Sequence, residues 1–266
     1  MGISSNVETA VRSSSNGASD AQWGAINATD AAVVLGARNL GAAITSDLLE
    51  RGVRVATVAR TRSDSEPLER GGAVLLQADA ADPEQLGQAL ATAAAQIGPL
   101  DLIVNAVSAI RPPDDGSGFG GGPLISASMA GFEGWTVPVA RQALVALKVG
   151  ARALHGRGGT IVQVVGAPAR RANPERGLMA AGGAAVRALT HAAAQELRGE
   201  GIHVALLIVD GIIASAKTAQ MSRTMAPEAL VRQADVTEAV CFLAAQSARG
   251  MTHELVITPA GDRWLP

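Results

Sequence analysis

Seven short, predominantly apolar runs, each followed by a helical or glycine-rich stretch, constrain this chain more than any other feature. They are AAVVLG (31–36), VRVATVA (53–59), AVLLQA (73–78), LDLIVNA (100–106), TIVQVV (160–165), IHVALLIV (202–209) and ELVIT (254–258). A strand that is apolar on successive residues, not on alternate ones, is buried on both faces. Strands of that kind joined by helices predict an α/β fold: a doubly wound, mostly parallel sheet of about seven strands with helices on both faces. At 266 residues, 48% apolar and 17% charged, the chain suits a single domain with a sizeable core.

Helix ends are marked by residues with a mechanical reason to be there. Ile44, Leu48 and Leu49 share one face of a helix that stops at Gly52. Asp82 is placed to cap the helix that begins with Pro83 and ends at Gly98. Residues 1–29 are rich in Ser, Asn, Gly and Ala without apolar periodicity. They read as a disordered or loosely attached tail ahead of a domain over 30–266, with Trp23 as a residue that could dock it. Between Ser108 and Trp135 lies a long connection, dense in proline and glycine over 111–123. Loops of that length in compact domains are more often functional or mobile than accidental. Following the fourth strand, it falls at the carboxyl edge of the sheet, where ligands bind in such folds.

Composition removes several function classes. A net charge of −2 provides no electrostatic footprint for nucleic acid. None of the apolar runs reaches the roughly 20 residues of a membrane span. The single cysteine, Cys241, reads as a small buried apolar group. No charged start followed by an apolar stretch is visible, so a cytoplasmic location is expected. His155, His191 and His203 have no metal-ligand spacing, and no metal is expected. Ser108, Ser126 and Ser128 flank the expected site without a His/Asp signature, so no nucleophile is assigned.

The stretch LGARNLGAAI (35–44) links the first strand to the first helix. Its glycines permit a tight turn and close backbone approach to a pyrophosphate, and the helix start offers free N–H groups to its charge. Gly36, Arg38, Asn39, Leu40 and Gly41 are therefore candidate cofactor-binding residues. Here the chain resembles the short-chain dehydrogenase/reductase family, whose loop reads T-G-x-x-x-G-x-G. Gly36 and Gly41 match its outer glycines and Leu35 stands for the Thr. The loop is one residue shorter, and Asn39 occupies roughly the middle glycine. Asparagine tolerates left-handed backbone better than any other residue with a side chain.

The second strand ends TVAR, with Ala59 where an NAD-selecting acid would stand and Arg60 after it. Arginine there accommodates a 2′-phosphate, and Arg38 is a second partner, so the pattern favours NADP(H). Plain solvation is the other reading of both arginines. The resemblance further implies that Asp79 contacts adenine, that Asn105 keeps the first position of the family's N-N-A-G, and that Gly211 and Ser215 belong to the cofactor edge after the sixth strand. It covers about residues 30–260.

In the resembling family an Asn, a Ser, a Tyr and a Lys four residues further on carry the proton chemistry. Those positions fall here on Pro138, Gly166, Met179 and Gly183, and the chain contains no tyrosine at all. Asp210, opening DGIIAS, is the one substitute acid candidate, with a turn residue as the plainer reading. Arg170, Arg171, Glu175 and Arg176 crowd the loop after the fifth strand, either to bind an anion or as solvated surface.

Three readings follow, one of them an ordinary reductase whose acid is a substrate group or water. Another is an atypical enzyme of this family that binds NADP(H) and acts on a hydrophobic carbonyl-type metabolite, including non-redox dehydratase, cyclase or isomerase chemistry. The third is a non-catalytic NADP(H)- or metabolite-binding partner subunit. The resemblance also implies a homodimer or homotetramer through the alanine-rich helices over about 135–155 and 175–199, with a heteromer compatible with the same surface.

Overall fold

The fold was analysed in a computed structural model, which describes residues 29–61, 66–114, 116 and 118–261. The proposed tail, apart from Thr29, lies outside the described residues. Strands β1 (Ala31–Leu35), β2 (Arg54–Ala59), β3 (Val74–Gln77), β4 (Leu102–Asn105), β5 (Gly159–Gly166) and β6 (Ile202–Val209) correspond to the first six runs. Two-residue strands β7 (Ile212–Ile213) and β8 (Leu230–Val231) pair with each other, and β9 (Glu254–Ile257) returns to the main sheet. That sheet has seven strands in the order β3-β2-β1-β4-β5-β6-β9, parallel throughout. The order reverses between β1 and β4, which opens the crevice that doubly wound folds use for ligands.

Helices α1 (Leu40–Glu50), α2 (Glu66–Arg70), α3 (Pro83–Ile97), α4 (Met129–Trp135), α5 (Val137–Leu154), α6 (Gly177–Leu197) and α7 (Gln233–Ala244) make the connections. Successive residues of β1 alternate between two cores. Val33 and Leu35 pack with Leu86, Leu90, Ala146 and Val149 of α3 and α5. Ala32 and Val34 pack with Ile44, Leu48, Val236 and Val240 of α1 and α7. Two buried faces explain why the strands read as continuous apolar runs.

The caps behave as their residue types require. Asp82 accepts from the backbone N–H groups of Glu84 and Gln85, Pro83 opens α3, and Gly98 closes it at φ +92°. Cys241 is half-buried against the α1/α7 core, and burial pushes its thiol up from the ordinary value. That fits the apolar reading and not a nucleophile. His155 pairs with Glu200 and His191 with Glu254. His203 is buried beside His253, and desolvation holds its imidazole below the usual value. Among the described residues no group of three or more His, Cys, Asp or Glu could hold a metal ion, and no helix is long and apolar enough to cross a membrane.

Candidate functional site

The site is built where β1, β4, β5 and β6 end together. Register sets Asn105 opposite both Leu35 and Gln163, and Gly166 opposite Val209. Beyond β1 the chain turns sharply. Gly36 has φ +105° and donates its N–H to the Val58 carbonyl at 2.8 Å. Asn39 has a positive φ of +48°, but its ψ of −116° lies outside the left-handed helical region that asparagine tolerates. Gly41 is enforced by distance, because a Cβ there would lie 2.0 Å from the Gly36 carbonyl oxygen. Gly41 is the second residue of α1, which has no side-chain cap and no acidic residue in its first turn. The Gly41 and Ala43 N–H groups donate to the Arg38 and Asn39 carbonyls at 3.1 and 3.0 Å, so what the helix start presents to the crevice is chiefly the positive end of its dipole. Leu40 turns its side chain into the α1/α7 core and contributes only backbone here, while Arg38 is exposed on the turn.

Arg60 follows β2 with an exposed side chain, and its carbonyl accepts from Gln77 Nε2 at 3.1 Å. Asp79 follows β3. Its Oδ1 accepts from the Ala81 N–H at 2.9 Å, and its Oδ2 faces Arg111 Nη2 at 3.8 Å. Arg111 lies far along the chain at the base of the glycine-rich connection, so no local pattern pointed to this pair.

Asn105 sits in a buried network of three amides. Its Nδ2 donates to Gln142 Oε1 at 2.8 Å and to Gln163 Oε1, and its Oδ1 accepts from Gln142 Nε2 at 2.9 Å. The same Oδ1 accepts from the Val107 N–H at 3.3 Å, which fixes the turn that Gly36 approaches. All three side chains are at most 3% exposed, and buried amides of this kind are retained only when satisfied. Gln142 and Gln163 were not recognisable as site residues from their sequence neighbourhood.

At the other half of the edge, Pro138 occupies the first turn of α5, Gly166 ends β5, and Met179 and Gly183 lie on α6. Gly183 faces backbone: a Cβ there would lie 2.6 Å from Ala169 N and 2.8 Å from Ala169 Cα. Gly182 meets the Trp135 carbonyl in the same way, at 3.0 Å. The helix therefore lies directly on the turn after β5 and on the α4/α5 junction, with no room for a longer side chain at either glycine. By contrast Gly166 meets only Pro168 Cδ, at 3.4 Å.

Asp210 is 1% exposed. Arg171 grips it with both guanidinium ends, Nη1 to Oδ2 and Nη2 to Oδ1, each at 2.8 Å, and Arg170 Nη1 reaches Oδ2 at 3.4 Å. The carboxylate is an anchor for the loop after β5, a role beyond that of a turn residue, and it is engaged where a substitute acid would need a free proton-bearing oxygen. Asp210→Asn is expected to destabilise the fold by about 2 kcal/mol in urea unfolding. That value is discounted from the ~3–5 kcal/mol of a fully buried pair because the arginines reach solvent. An unchanged midpoint would show that the tie contributes nothing.

Gly211 has no room for a Cβ, which would lie 2.7 Å from Pro259 Cδ. Ser215 bonds Thr218 through its hydroxyl at 3.0 Å. Ser126 and Ser128 serve local structure, the first donating to the Pro123 carbonyl and the second capping α4. Ser108 lies on the turn after β4, where its carbonyl accepts from the Ile110 N–H.

A seven-stranded parallel sheet with a glycine turn at its switch point defines a doubly wound α/β protein. Residues 34–261 match a family model described as enoyl-(acyl carrier protein) reductase, and the chain belongs to the short-chain dehydrogenase/reductase family. It is 26% identical over 241 residues to a farnesol dehydrogenase of Aedes aegypti, covering 88% of this chain and 97% of that one. An alcohol dehydrogenase from Thermococcus sibiricus complexed with 5-hydroxy-NADP superposes with a TM-score of 0.73 at 19% identity, covering 89% of this chain and 99% of that chain. A blue fluorescent protein from a metagenomic library, in complex with NADPH, gives 0.69 at 25% identity over 86% of this chain and 96% of its own.

Proposed function

We propose that this protein binds NADP(H) along the carboxyl edge and acts on a hydrophobic carbonyl-type metabolite without the Tyr/Lys proton relay. The turn from Gly36 to Gly41 carries this reading. It is closed so tightly that Gly41 admits no Cβ, and it ends in an uncapped helix start. That is the shape and polarity a pyrophosphate requires. Asn39 and Leu40 would present backbone to the diphosphate, Gly36 and Gly41, whose N–H groups are bonded to the Val58 and Arg38 carbonyls, would let it approach, and Arg38 and Arg60 would hold the 2′-phosphate. Asp79 would take the adenine edge, Asn105 would set the turn beneath the ribose, and Gly211 and Ser215 would line the nicotinamide side. The nucleotide-bound proteins of similar fold support the same choice.

The bound nucleotide supplies hydride chemistry, or a rigid wall for a non-redox dehydration, cyclisation or isomerisation. The chain's own contribution is binding and orientation, with Met179 at the position of the family's tyrosine; Gly182 and Gly183 are closed against the Trp135 carbonyl and Ala169 and form no wall of the site. Proton transfer is left to the substrate or to water. We further propose association into a homodimer or homotetramer through α5 and α6, and a cytoplasmic location.

A second reading, a non-catalytic NADP(H)-binding partner subunit, is favoured by the contact of Gly183 with Ala169 and by the commitment of Asp210 to two guanidinium groups. Turnover separates the two: the first requires saturable conversion of a carbonyl compound, the second binding without it. Calorimetric titration with NADPH and NADH tests what they share. NADPH is expected to bind at least about tenfold more tightly, and Arg60→Ala to erase most of that difference, about 1.4 kcal/mol. No binding of either nucleotide would overturn both readings.

A further inference from the structure

An ion pair joins two distant parts of the candidate cofactor edge. Arg111 Nη2 stands 3.8 Å from Asp79 Oδ2, too far for a hydrogen bond, so the two side chains act on each other through charge. They are 48% and 37% exposed, and a pair so open to water adds little to folding. What it changes is the charge of the edge.

Backbone contacts hold both partners in place. Arg111 donates its N–H to the Gly134 carbonyl at 2.8 Å. Gly134 has no room for a side chain, since a Cβ there would lie 2.3 Å from the Arg111 carbonyl oxygen and 3.0 Å from Pro113 Cδ. Helix α4 thus fixes the post from which the guanidinium extends. On the other side, Asp79 donates its N–H to Gln85 Oε1 at 3.1 Å, and its Oδ1 accepts from the Ala81 N–H. Its Oδ2 is the oxygen that faces Arg111.

Asp79 also lies close to the arginine assigned to the 2′-phosphate. Strands β2 and β3 run parallel with Ala59 opposite Gln77, the Ala78 N–H bonds the Ala59 carbonyl, and Gln77 Nε2 bonds that of Arg60. Arg60 and Asp79 therefore leave neighbouring strands, about 4.8 Å apart, within a residue of each other. A carboxylate at this place works against a 2′-phosphate, which carries nearly two negative charges at neutral pH. Left to themselves, Arg60 and Asp79 would cancel.

We propose that Arg111 is a specificity residue of this edge: it neutralises Asp79, so that the carboxylate can face adenine without repelling a 2′-phosphate. The inference rests on the cofactor reading above. It adds to that site a side chain from the connection after β4, and it makes the preference for NADP(H) depend on a charge that does not itself hold the phosphate.

Calorimetric titration with NADPH and NADH tests this, read as the ratio of their two dissociation constants. Arg111→Gln is expected to weaken NADPH about fivefold and NADH less than about twofold. Arg111→Lys keeps the charge and should keep the wild-type ratio. Asp79→Asn removes an adenine contact from both nucleotides alike and should shift the ratio towards NADPH. The double variant Arg111→Gln/Asp79→Asn should return it to near the wild-type value. Arg157→Gln breaks a pair of similar length, 3.7 Å to Asp101 at the opposite end of the sheet, and should leave the ratio unchanged. In 1 M salt, where the screening length is about 3 Å, the effect of Arg111→Gln should largely vanish, as a loss of packing would not.

An unchanged ratio in Arg111→Gln, or a loss shared equally by NADPH and NADH, overturns the proposal while leaving the cofactor reading in place. So does a loss that persists in the double variant, which would make Arg111 a direct phosphate ligand. A wild type that binds neither nucleotide brings down the cofactor reading and this inference with it.

Discussion

Gly41→Ala is expected to abolish nucleotide binding and to lower the stability of the chain. A methyl group at this position would sit 2.0 Å from the Gly36 carbonyl oxygen, and both atoms belong to backbone held by β1 and α1. Neither can rotate away, so the turn must open. Overpacking of this kind costs about 1–3 kcal/mol, and each kcal/mol lowers the melting temperature by about 2–4 °C in a chain of this size. The functional loss should be larger than the structural one, because opening the turn withdraws the N–H groups from the phosphates. NADPH affinity is expected to fall about a hundredfold, or ~2.7 kcal/mol. Calorimetry and thermal unfolding check this, with Gly199→Ala as control, since a Cβ at Gly199 meets nothing within 4 Å. Wild-type affinity in Gly41→Ala would remove the glycine turn from the cofactor argument.

Restoring the family's residues with Met179→Tyr and Gly183→Lys is expected to fail, both as chemistry and as structure. The space for a lysine is taken: the backbone of Ala169, itself 4% exposed, lies 2.6 Å from where the new Cβ would be. To admit it, the turn after β5 must move, and that turn carries Arg170 and Arg171 to Asp210. Clash and broken ion pairs together should cost at least about 3 kcal/mol, or roughly 6–12 °C in melting temperature. No NADPH oxidation with carbonyl substrates should appear. Gly183→Ala alone should reproduce most of the destabilisation, since the first carbon makes the clash. A double variant that melts with the wild type and oxidises NADPH would refute the argument that the site is closed.

The sheet was legible because burial on both faces writes itself into consecutive residues, as in AAVVLG and IHVALLIV, and the α3 cap because Asp82-Pro83 has a local mechanism. Strand ends were less so. The fourth run extends over 100–106 yet β4 spans Leu102–Asn105, although the Asp101 backbone still pairs with Ala31 and Thr160 on either side. The short helices α2 and α4 and the β7/β8 pair have too few residues for a period to register. Within the site, the tight approach at Gly41 followed from residue type, whereas the conformation of Asn39, with φ +48° and ψ −116°, did not. The arginine partners of Asp210 and Asp79 and the amide partners of Asn105 did not, because each lies at least 32 residues away along the chain. Fold topology brings them together, and local pattern carries no trace of it. The contact between Gly183 and Ala169 was hidden for the same reason: a glycine records that something is close and not what it is.

The three buried amides of Asn105, Gln142 and Gln163 are neutral. Their mutual hydrogen bonds neither titrate nor respond to ionic strength, unlike every charged contact at the rim of the crevice. The corner where β4, β5 and α5 meet thus keeps one geometry in any buffer that leaves the chain folded. A dependence of nucleotide affinity on salt or pH would then report on the charged rim, Arg38, Arg60 and the Asp79–Arg111 pair, and on the ligand's own phosphates, and not on this neutral corner.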